Sequence, residues 1–206
     1  SGCNLSSLNL LKFFDVNIID LDHAVLPETV EINVAERVNL KKCDLTKVKN
    51  LNLSAIENMI ADEVIVGDSV DFSACYDVSL IGSDLSKTGN IVFKDGGIVN
   101  LSKAHLPSSM DLSNCKEVYL TDNDVYDLSK FKFMDGVEVH FNRSRMPATI
   151  DLSFASKVDM QECVLDDIKD LVLSQDCVLD LRKAVLPKSL NLIKCSEVNL
   201  SGCNFD

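Results

Sequence analysis

The chain has 206 residues, 46% hydrophobic but only 6% aromatic, with no tryptophan and a net charge of −12 from 20 Lys and Arg against 32 Asp and Glu. That balance argues against nucleic acid or an anionic membrane surface as the main partner, because both demand positive charge. No run of eighteen apolar residues occurs, so neither a transmembrane helix nor membrane insertion is expected.

The first five residues, Ser1-Gly2-Cys3-Asn4-Leu5, return as Ser201-Gly202-Cys203-Asn204-Phe205. Both ends therefore fall inside a repeat. The chain is expected to be a segment of a larger protein, and its uncapped ends leave end-to-end self-association open. Leu11-x-Phe13 and Ile19-x-Leu21 are the first predicted strands. From there an eight-residue pattern, apolar-x-apolar-x-x-small-x-apolar, recurs at Val38–Leu45, Val78–Leu85, Val118–Val125, Val158–Leu165 and Val198–Phe205, forty residues apart each time. An offset series fills the gaps: Ile19–Leu26, Met59–Val66, Val99–Leu106, Val139–Met146 and Leu179–Leu186. Successive starts alternate between 19 and 21 residues. A fixed period near 20 marks a solenoid, so residues 1–206 are read as one stack of ten coils in which each coil leans only on its neighbours.

The segment Asn50–Val66 is the least regular, and Ser54–Ala61 within it is expected to form a helical turn. Leu106 to Met146 serves as the model unit. Leu106-Pro107 turns into a short strand, Met110-x-Leu112, followed by Val118-x-Leu120; such period-two runs read as strand. After the turn Asp122–Asp124, Val125 and Leu128 point inward. Phe131-x-Phe133 and Val139-x-Phe141 then repeat the plan. All four prolines follow an apolar residue at the same step (Leu26, Leu106, Met146, Leu186), where a fixed φ suits a turn. The expected fold is a mainly β repeat solenoid with two parallel sheets and little helix.

The pattern resembles the L-x-L-x-x-N-x-L segment of leucine-rich repeats over nearly the whole chain, and the Leu-Pro-x-x-apolar step is similar to the short repeats of secreted bacterial effectors. The resemblance implies that the Asn column bonds the neighbouring backbone. Here Asn123 alone keeps Asn, while Cys43, Ser83, Ser144, Cys163 and Cys203, with Ala24, Ala104 and Ala184, take its place. It also implies that the outward strand face is concave and binds a ligand. Tyr119, His140, Asn142 and Arg182, with Asp159 and Asp180 beside them, are the candidate contacts for another protein, Tyr and Arg being common interface anchors.

Eight cysteines raise the question of disulfides. Cys3, Cys43, Cys163 and Cys203 share one column, and Cys75, Cys115 and Cys195 another. Members of a column are at least two coils, about 9–10 Å, apart, beyond the reach of a bridge. They read as free thiols acting as small hydrophobes, which favours a reducing compartment, with a cell-surface location also open.

Asp84, His105, Asp124 and Arg145 lie one coil apart and form a ladder of alternating sign; Asp111, Lys132 and Asp151 form another. Columns of Asp two coils apart cannot share a calcium shell. No H-E-x-x-H, G-x-S-x-G, P-loop or G-x-G-x-x-G occurs, so no cofactor, metal or catalytic residue is assigned. The expected role is a non-catalytic protein-recognition scaffold. The alternatives are a structural spacer or stalk of a surface protein, and a β-helix enzyme acting on polysaccharide.

Overall fold

The computed structural model describes residues 2–125 and 129–205; the expected inward side chain of Leu128 lies outside them. Among the described residues there is no helix. The chain winds as a parallel β-solenoid of about nine turns at roughly 20-residue spacing.

The register follows the repeat. Val118 stands beside Val99 and Val139, Val139 beside Val158, and Val158 beside Leu179. At the N-terminal end Ile19, Val38, Met59 and Val78 continue the same file. Each carries an inward side chain, because residues two apart share a face of a strand. The next inward file, from Leu21 through Leu40, Ala61, Leu80, Leu101, Leu120, Phe141 and Met160 to Leu181, is also buried. Together these strands make a continuous sheet of eleven strands among the described residues, running from Leu11–Phe14 to Cys195–Asn199.

The second side is more broken than the two-sheet expectation. Ser69–Phe72 pairs with Asn90–Phe93, Met110–Leu112 with Phe131–Phe133, and Thr149–Leu152 with Asp170–Leu173, each as a separate two-stranded sheet. These separate pairs join strands 21 residues apart, while Phe93 and Leu112, 19 apart, are not register partners; near the N-terminus, however, Leu11–Phe14 pairs with the chain from Val30 to Asn33 at a spacing of 19. A third file of single bridges, including Asp44 to Ile65, Asp84 to His105 and Asp124 to Arg145, closes the coil. The coil is thus three-sided.

The helical turn expected at Ser54–Ala61 is not formed. Asn50–Ile60 is one long strand beside Thr29–Asn39, held by nine register partners and bent at Ala55 (φ 52°) just as its neighbour bends at Val34 (φ 60°). An isolated helical turn gains little by itself, while the strand satisfies its backbone groups on the adjacent coil.

The turn leaving the main sheet is left-handed in every coil. His23, Lys42, Glu63, Lys103, Asp122, Arg143, Glu162 and Lys183 take φ between 53 and 60°, and Gly82 and Gly202 take the same position. Each non-glycine residue there costs about 1 kcal/mol. The preceding strand end offsets part of this cost: the side chains of Asp20, Asn39, Asn100, Asp159, Asp180 and Asn199 each accept a hydrogen bond from the backbone N–H two residues on.

These turns also carry the ion pairs. The ladder read at Asp84, His105, Asp124 and Arg145 is in register at Asp84–His105 and Asp124–Arg145 but makes no ion pair among the described residues; the Asp84 carboxylate turns to the N–H and hydroxyl of Ser86. Pairing falls instead on the left-handed file. Arg143 grips Asp122 with two bonds of 2.7 and 2.9 Å, Lys42 lies 3.5 Å from Glu63, and Lys183 lies 3.4 Å from Glu162. On the second side Lys132 does meet Asp111, at 3.2 Å.

The small file bonds the coil before it. Cys43 Sγ donates to Leu21 O, Asn123 Nδ2 to Leu101 O, Cys163 Sγ to Phe141 O and Cys203 Sγ to Leu181 O. In each case the turn N–H three residues after that carbonyl bonds it as well. Serine works differently. Ser83 and Ser144 donate to Ala61 O and Leu120 O, and each hydroxyl accepts the turn N–H of the preceding coil, from Val64 and Asn123. Where alanine follows, as at Ala104, the earlier turn closes on itself through Ser83 N–H to Leu80 O. Ser144→Ala is therefore expected to cost only about 1 kcal/mol, since the Asn123 turn can adopt that self-closed form. Asn123→Cys should stabilise by up to about 1 kcal/mol, because a thiol reaches the same carbonyl and the buried Asn123 Oδ1, which has no partner, is removed. Urea unfolding of both variants checks the pair; a loss on Asn123→Cys would show that the amide does more than bond Leu101.

Among the described residues the cysteines are free. Burial pushes the thiols of Cys43 and Cys163 up to about 11, and those of Cys75 and Cys115 up to about 12. They are unreactive side chains of the core. Cys177 departs from the two-coil spacing: it is the register neighbour of Cys195 in the adjacent coil, a pairing that comparison of columns forty residues apart overlooks.

Candidate functional site

The outward face of the main sheet is built by side chains alternating with the buried file that runs through Val118, Val139 and Val158. Around the strands Cys115–Tyr119, Val137–His140 and Ala155–Asp159 the short polar groups of the face give way to a connected cluster. The Tyr119 and His140 rings stack with centroids 4.3 Å apart and planes 8° from parallel, as register partners on adjacent strands allow. Tyr119 OH donates to Glu117 Oε1 at 2.5 Å, and His140 Nε2 lies 3.1 Å from the same oxygen. His140 Nδ1 lies 3.6 Å from Asp159 Oδ2.

Asp159 is engaged by three residues, His140, Asn142 and Gln161. Its carboxylate accepts from Asn142 Nδ2 at 3.0 Å, Gln161 Nε2 at 2.8 Å and the Gln161 backbone at 3.2 Å. Burial pulls its pKa upward, but His140, Asn142 and Gln161 together outweigh burial and hold it down to about 2. Tyr119 moves the other way. Its burial and its bond to the Glu117 carboxylate push the phenol up to about 12.

Glu138 stands directly opposite Glu117 in the next coil. Lys157 Nζ holds Glu138 Oε2 at 2.9 Å from the far side. Of the six residues read from the sequence, the structure thus brings together Tyr119, His140, Asn142 and Asp159. The other two, Asp180 and Arg182, stand in the next coil and chiefly engage each other. Asp180 is the register partner of Asp159, but its carboxylate is engaged by Arg182 at 2.7 to 3.0 Å and by the Arg182 backbone. Glu117, Glu138 and Lys157 were not among the residues read from the sequence. They occupy the outward file two positions before Tyr119, His140 and Asp159, so the same forty-residue arithmetic reaches them. A register irregularity between Cys115 and Glu117 sets where that file begins.

A groove of about 700 Å³ lies on the turn flank, lined by Lys103, His105, Phe131 and Arg145 among others. No helix among the described residues is long and apolar enough to cross a membrane. Compared with known proteins, the chain matches no family model, no curated protein and no solved structure.

Proposed function

We propose that this chain is a non-catalytic recognition solenoid of the leucine-rich-repeat kind, with coils like the short bacterial ones, which binds another protein along the outward face of its main sheet. The donor file, which at Cys43, Ser83, Asn123, Ser144, Cys163 and Cys203 ties a coil to the backbone before it, supports the repeat type. The stacked Tyr119–His140 pair carries the binding reading. It is a rigid aromatic platform on the outward face, and its ring planes are fixed before any partner arrives, so little ordering entropy remains to be lost. Asp77, Glu117, Glu138, Asp159 and Asp180 outnumber Lys116, Lys157 and Arg182 around it, which suits a partner surface rich in Lys and Arg.

The test is capture by the wild type, by a Tyr119→Ala/His140→Ala/Arg182→Ala variant, and by a Lys132→Ala control on the second side. A partner held by wild type and control but lost by the triple variant is expected. Equal capture of every partner by all three proteins would remove this face and favour the spacer reading.

A further inference from the structure

We propose that Glu117, Glu138 and His140 form a binding site for a divalent transition-metal ion of the zinc type. The ligand atoms of the three side chains lie within 4.8 Å of one another, on two adjacent strands of the main sheet. A tetrahedral zinc ion with bonds of about 2.0–2.2 Å holds its ligand atoms about 3.4 Å apart. The widest separation therefore has to close by up to about 1.4 Å, within the swing of a glutamate side chain.

Three further observations point to a cation. First, Glu117 and Glu138 are register partners on neighbouring strands, and like charges directly opposite each other destabilise a sheet. Lys157 relieves Glu138 from one side only. An ion between the two carboxylates removes the repulsion. Second, the imidazole is already aimed. Nε2 faces Glu117, and Nδ1 faces Asp159, whose carboxylate is itself fixed by Asn142 and Gln161. A carboxylate behind the second ring nitrogen is the usual device for presenting a neutral imidazole to a metal. Third, Tyr119 lies flat against the ring at 4.3 Å and prevents it from turning away. The nitrogen donor sets the class of ion. One imidazole with two carboxylates suits zinc or a neighbouring first-row ion, whereas calcium takes oxygen ligands.

This inference needs no partner protein and is tested on the chain alone, so its failure leaves the recognition proposal standing. The probe is zinc chloride, titrated calorimetrically into a Cys3→Ser chain so that the exposed thiol of Cys3 does not compete. One equivalent is expected to bind. His140→Gln and Glu138→Gln should each weaken binding by about tenfold or more, and Asp159→Asn by about tenfold through the loss of its hold on Nδ1. His105→Gln and Asp180→Asn should leave it unchanged. Lys157→Ala frees Glu138 and should tighten binding several-fold, which keeps a positive readout if a ligand variant folds poorly. The cobalt(II) form should show no thiolate charge-transfer band. Failure of zinc to bind, unchanged affinity in folded His140→Gln, no gain in Lys157→Ala, or a thiolate band would each overturn the site.

Discussion

Phe141→Ala is expected to destabilise the solenoid by about 3–5 kcal/mol, a large share of the stability of an ordinary domain. Phe141 is fully buried between Leu120 and Met160 of the adjoining coils, themselves fully buried. Its backbone cannot move in to fill the space. Phe141 N–H donates to Asp159 O at 2.7 Å, and Phe141 O accepts both Ser144 N–H and Cys163 Sγ. The cavity therefore persists, and its full cost is felt. Phe141→Leu should cost less than about 1.5 kcal/mol, since the same file carries leucine at Leu80, Leu101, Leu120 and Leu181. Urea denaturation of the two variants checks the magnitudes. Hydrogen exchange should quicken mainly in the coils on either side, because each coil leans on its neighbours alone. A loss below about 1.5 kcal/mol for the alanine variant would mean a loosely stacked core.

The second large effect is acid sensitivity centred on Asp159. Its carboxyl is held at about 2 in the folded chain against an ordinary value of 3.8. Its side chain is only 13% exposed, so solvent screens the contribution little. The difference corresponds to ~2 kcal/mol. A depressed folded-state pKa contributes fully above the ordinary value and is lost as the pH falls through about 2. Asp159→Asn should accordingly cost about 2 kcal/mol at neutral pH, with the gap to wild type narrowing between about pH 4 and pH 2. Urea midpoints across that range, in buffer containing a chelator, measure it. A gap that stays constant with pH would mean that the carboxylate charge contributes nothing beyond the shape of the side chain.

The repeat itself was legible because stacking makes a simple demand. Residues forty apart must meet the same surroundings two coils on, so the buried files at Val118, Val139 and Leu120 could be read off as columns. The inward and outward alternation followed from the pleat of the strand. The bonding role of the small file was legible through the leucine-rich-repeat resemblance, and the structure extends it to serine and cysteine. What misled was local propensity. Ser54–Ala61 reads as a helical turn in isolation, yet its backbone groups are already claimed by Thr29–Asn39.

The candidate site was half legible. Counting alone places Tyr119, His140, Asn142 and Asp159 on one face, while Glu117 and Glu138 lie in a further outward file, beyond a register irregularity that the period does not reveal. Counting places Asp84 beside His105, and the two are bridge partners, but it does not show that the Asp84 carboxylate bonds Ser86 of its own turn. The sequence by itself thus determined the period, the burial of each file and which side chains share a face, all consequences of a repeated backbone path. Only the tertiary structure decided which of several reachable partners each charged side chain takes. That choice depends on differences of an ångström or less between competing hydrogen bonds, and a period of twenty residues does not carry them.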